Sequence, residues 1–142
     1  MMQIEWRLEM GAALEPENLV GDITLSEAQT SFGERDTYID SWLEALITGL
    51  QAVQMGQRRC VDIPEEVAAL VFTPVDQGVQ IAYRTMVLHV ESIDELQRAV
   101  YVAAQALLQR LATVEGWETN PLLRGIGDFV CQARATSGAL DI

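Results

Sequence analysis

The sequence of 142 residues predicts an α+β fold: an antiparallel sheet of about five strands, in the order ββαβββαα, with two long helices and a shorter third packed on one face. Three observations carry this. Residues 3–10 alternate strictly between apolar and polar side chains, as a half-buried strand requires. Residues 37–55 and 92–116 switch to a helical period. The segments between them are short, apolar and broken by turn signals, which favours antiparallel pairing and helices segregated to one side.

In the first strand, Ile4, Trp6, Leu8 and Met10 share one face, and Gln3, Glu5, Arg7 and Glu9 the other. A second strand spans "LVGDITLS", Leu19 to Ser26, with Leu19, Ile23 and Leu25 lining the same core. The first helix runs from Thr37 to about Met55, with Asp36 as N-cap and Gly56 as the residue that ends it. Three strands follow at "RRCVDI", "VAALVFT" and the long "GVQIAYRTMVLHV". Ser92 and Glu95 form a capping-box pattern that opens the second helix, which runs to Gly116. Asn120 and Pro121 start the third, where Gly125 and Gly127 act as packing or bending positions. With neither repeat nor linker, residues 1–136 form a single domain and 137–142 a flexible tail.

The net charge is −12, and every one of the nine bases is Arg. Residues 1–44 hold ten acids and two Arg, so the charge is concentrated in the first third. Such a surface repels phosphate backbones and anionic membranes and attracts a basic protein. No apolar stretch is long enough to span a bilayer, there is no basic leader, and Cys60 and Cys131 stand alone, so a cytoplasmic location is expected.

The most suggestive cluster is "SFGERDTYIDSWLEAL", which places Asp36, Asp40 and Glu44 four residues apart. On a helix turning about 100° per residue, the row starts at the edge of the apolar face and steps into solvent. Asp36 is then the cap, and Asp40 and Glu44 form either a solvated edge or a surface for a partner. A metal site would need more imidazole than one histidine supplies. His89 is expected on the side of Val79 and Ile81, and it could serve a pocket between sheet and helices together with Tyr83 and Arg84. There is no G-x-S-x-G elbow, and "GIG" at 125–127 lacks the pattern of a phosphate loop. Cys60 is expected to be a small buried hydrophobe. Trp117, in the loop "EGWETNP", either pins that loop or faces a partner. No catalytic residue, metal or cofactor follows from these patterns.

Three stretches, "IEWRLEMG", "YIDSWLEALITGLQAVQMG" and "VEGWETNPLLRGI", together resemble a group of small uncharacterised bacterial proteins whose neighbours include candidate immunity proteins of toxin systems. The resemblance implies an interaction protein and brings no catalytic residues with it.

Two functions are therefore expected in competition. One is a non-enzymatic acidic module, immunity-like or chaperone-like, that binds a partner protein through Asp36, Asp40, Glu44, Glu34 and Trp117. In it Glu5, Glu9, Glu15 and Glu17 add to the field, and Tyr38 is a second anchor. The other is a small-molecule binder or enzyme with its pocket near His89, Tyr83 and Arg84. A homodimer formed through the open sheet face is a third possibility.

Overall fold

The computed structural model describes residues 1–9 and 14–140, with side chains to 135. Strands β1 (Gln3–Leu8), β2 (Val20–Glu27) and β3 (Thr30–Tyr38) lead into helix α1 (Ile39–Gln54). Strands β4 (Arg59–Asp62), β5 (Ala69–Val75), β6 (Gly78–Tyr83) and β7 (Met86–Val90) follow. Helix α2 (Ile93–Leu111), a 3₁₀ turn at Trp117–Thr119 and helix α3 (Pro121–Leu140) complete the chain.

The fold is α+β, but it has two antiparallel sheets where one was expected. The first is ordered β1-β2-β3 and the second β4-β5-β6-β7. β2 and β3 lie against β7, α1 bridges to β2, β4 and β5, and α2 reaches β1 and β7. α3 packs on α1 and α2. The core fills the space between sheets and helices, with Trp42, Tyr83, Phe72, Leu25 and Leu46 among its fully enclosed side chains.

Two strands escaped the sequence pattern for physical reasons. The long strand expected at 78–90 is a hairpin: Tyr83 pairs with Met86 across the two-residue turn Arg84–Thr85, and Arg84 takes a φ of +56°. The turn moves the buried positions from Val79, Ile81 and Tyr83 on β6 to Leu88 and Val90 on β7. His89 is therefore exposed opposite Gln80, and not on the side of Val79 and Ile81.

β3 was concealed because its inward positions are Phe32, Glu34 and Thr37, too polar to alternate visibly. A bulge also breaks the register: Gly21 faces Thr37 while Ile23 faces Glu34, which leaves Arg35 and Asp36 opposite Asp22.

The helices hold closer to expectation. Gly56 follows α1 at φ +73°, the left-handed stop that glycine adopts without a Cβ clash. Ser92 Oγ accepts from the Glu95 amide at 3.1 Å, and Asn120 Oδ1 from those of Leu122 and Leu123 at 3.0 and 3.2 Å. α1 starts two residues later than expected, with Tyr38 at its N-cap and no side-chain cap bond. α2 stops at Leu111, short of Gly116.

The third helix is the longest at 20 residues, not the shortest. Its glycines do not break it, because the apolar row Leu123, Ile126, Val130 and Ala133 continues past them, and the Trp117 ring rests against Gly127. The expected tail from 137 overlaps the last turn of α3, and 141–142 lie outside the described residues, as does Met10.

Candidate functional site

The acidic row that looked continuous in sequence is divided by the start of α1. Asp36 belongs to the β3 bulge at φ +51° and does not cap the helix; its amide donates to Asp22 Oδ1 at 3.2 Å. Asp22 also accepts from Arg7 at 3.2 Å, and the Asp36 amide, followed by Arg7, holds its carboxyl below the usual range.

Asp40 is not on the solvent edge: it is only 8% exposed, and its Oδ1 has no hydrogen-bond partner. Burial pushes its carboxyl up, nearby amides of Ser41 and Asp40 itself oppose the shift, and Glu44 adds to it. Glu44 is exposed, as are Glu5, Glu9, Glu15 and Glu17. Tyr38 and Trp117 are half-buried, and Cys60 is exposed at the start of β4, contrary to the buried position expected.

Glu34, from one expected site, meets Tyr83 and Arg84, from the other. Its inward position beside the bulge points it from the first sheet towards the β6–β7 turn. Tyr83 Oη donates to Glu34 Oε2, and Arg84 donates to the same oxygen from Nε at 3.0 Å and Nη2 at 2.7 Å. The Tyr83 bond leads in lowering the Glu34 pKa, while burial leads in raising that of Tyr83. Phe32 and Trp42 pack on the Tyr83 ring at centroid distances of 5.4 and 5.1 Å. Nearby, Trp42 Nε1 donates to Thr37 Oγ1 at 2.9 Å, and that hydroxyl donates to Glu66 at 2.6 Å. These side chains tie the two sheets together, and His89 takes no part. Thr37 and Glu66 were not singled out in sequence because nothing local marks a contact between such distant segments.

A concave surface runs along β1. Among the described residues, β1 is a sheet edge, with β2 on one side only. The Glu9 amide donates to the Val20 carbonyl at 2.9 Å, and extending the register from that pair assigns the odd residues of β1 to the β2 ladder. The backbone amides and carbonyls of Ile4, Trp6 and Leu8 consequently face the open side. The Met2 amide has the same direction, and it donates to Glu95 Oε1 at 3.0 Å.

α2 forms the other wall, held by a bond from Trp6 Nε1 to the Ala103 carbonyl at 3.0 Å. Two adjoining clefts of about 710 and 930 Å³ share Ile4, Glu5 and Val102. Ala99 and Ala106 line the floor, and Val102 is 57% exposed. One end is rimmed by Glu91, Asp94, Glu95 and Arg98, and the other by Glu9 and Arg110. Sequence alternation located β1, but only the sheet order shows that its edge is open.

Among the described residues, no group of three or more His, Cys, Asp or Glu is placed to hold a metal ion, and no helix is long and apolar enough to cross a membrane. Family models, curated proteins and solved structures offer no match to the chain.

Proposed function

We propose that the protein is a non-enzymatic interaction module that accepts an extended segment of a protein along β1, by strand addition. The observation that carries this reading is the unpaired edge at Ile4, Trp6 and Leu8 beside the cleft against α2. Strand addition gains affinity from main-chain hydrogen bonds, and pockets for alternate side chains give it selectivity. Here Ala99, Val102 and Ala106 offer the apolar floor, and Glu5, Glu91 and Asp94 favour a positive group at one end. This relocates the expected acidic surface from Asp40, which is buried, and Glu34, which is bonded to Tyr83 and Arg84, to exposed acids beside the edge.

The test uses NMR with seven-residue peptides of alternating polar and apolar residues, in basic, neutral and acidic sets. The expected result is a shift of the Ile4, Trp6 and Leu8 amides and the Val102 methyls, caused by peptide or by self-association. Basic peptides should bind best and weaken with salt. If neither any peptide nor the chain's own concentration moves those signals, the reading fails.

A further inference from the structure

The geometry points to a second copy of this chain as the occupant of the β1 edge, paired antiparallel about a two-fold axis at Trp6. The inference rests on strand addition at β1 and names its partner.

The open side of β1 presents the backbone groups of even residues. Two β1 strands meeting there form narrow hydrogen-bonded pairs only between even residues. With Trp6 opposite Trp6 of the second copy, Ile4 faces its Leu8, and each such pair exchanges two N–H···O bonds. Every odd pair then falls on the solvent face, where Glu5 lies opposite Arg7 of the second copy and Gln3 opposite its Glu9. The strand "QIEWRLE" is thus complementary to itself when reversed.

Neighbouring registers lack this property. A shift that centres Glu5 sets it against Glu5 of the second copy. The opposite shift sets Arg7 against Arg7 and Glu5 against Glu9. Like charges directly opposite are unfavourable on an antiparallel pair and opposite charges favourable, so the charges select the Trp6-centred register. Larger shifts keep fewer strand pairs.

Arg7 is suited to this position. It is exposed and already bonded to Asp22 on β2, so in the dimer it lies between a carboxylate on each side. Below the joined sheet the two α2 helices approach across the axis, where Val102 would leave solvent. Pairing also satisfies the edge, an otherwise open template for uncontrolled association.

Light scattering and sedimentation of the full chain provide the test. The wild type should be a dimer up to the concentrations used for NMR. Glu5→Arg, an exposed site without hydrogen bonds to lose, should place Arg against Arg in both symmetric pairs and weaken the dimer by about tenfold. Arg7→Glu should do the same with Glu against Glu. Mixing the two variants should restore association, because each Arg then meets a Glu; Val102→Asp should weaken the dimer in every combination. A monomeric wild type would overturn the self-pairing, and peptide shifts at Ile4, Trp6 and Leu8 would then leave strand addition intact. A dimer indifferent to Glu5→Arg would overturn the register, as would variants that fail to recover on mixing while each remains folded by circular dichroism.

Discussion

Asp40 and Glu34 lie close in sequence, and their surroundings drive them in opposite directions. Burial without a donor for Oδ1 raises the Asp40 pKa, whereas the Tyr83 hydroxyl and the Arg84 guanidinium lower that of Glu34. A carboxyl raised in the folded state binds more protons folded than unfolded, so its contribution falls as pH rises through the folded value. Asp40→Asn should therefore stabilise the chain at pH 7, by about 1 kcal/mol, the cost of burying a poorly satisfied polar group. The gain should shrink below the ordinary carboxyl range, near pH 4, where Asp40 is neutral as well. Glu34→Gln should show the opposite sign. Its loss of about 1 kcal/mol is present at neutral pH and fades as pH falls through the lowered Glu34 value, discounted for the exposure of Arg84. Urea unfolding of both variants between pH 3 and 8 measures the two curves, and curves of the same sign would contradict the assignment.

The elements were legible wherever one residue face stayed on one side of one layer. β1 alternates cleanly because nothing interrupts it, and α2 shows its apolar stripe because its covered residues share one side. α1, in contrast, is buried around most of its circumference, which is why Asp40 at the edge of its apolar stripe is enclosed. β3 was illegible because Glu34 and Thr37 point inward to partners far along the chain, and a bulge reverses parity at Asp36. The β6–β7 turn was illegible because Arg84 and Thr85 carry no glycine signal, although Arg84 takes a left-handed φ. The open edge of β1 is a property of strand order, which no local pattern encodes. Gly49 shows how closely two elements can meet without a sequence signal. It sits on the face of α1 against Phe72 of β5, where a Cβ would fall on the aromatic ring. Gly49→Ala gains about 1 kcal/mol of helix propensity but forces the core apart. The expected net result is a loss of about 1–2 kcal/mol in thermal or urea unfolding. Relief by Phe72→Leu in the double variant would tie that loss to this contact.

At the scale of the whole molecule, charge and packing act against one another. The net charge of −12 is spread over a structure whose described side-chain ion pairs are Arg7–Asp22 and Arg84–Glu34, each half-exposed or more on the Arg side. Pairs of that kind contribute little, typically below about 1 kcal/mol. Unpaired acids on Glu5, Glu15, Glu17, Glu44 and Asp94 repel one another over distances comparable to the screening length at low salt, about 10–30 Å. Salt therefore removes more repulsion than attraction. Raising sodium chloride from low to moderate concentration, in dilute protein to hold association constant, should raise the melting temperature by about 2–5 °C. If the midpoint instead fell with salt, ion pairing would outweigh repulsion. The acidic surface would then stabilise the fold directly.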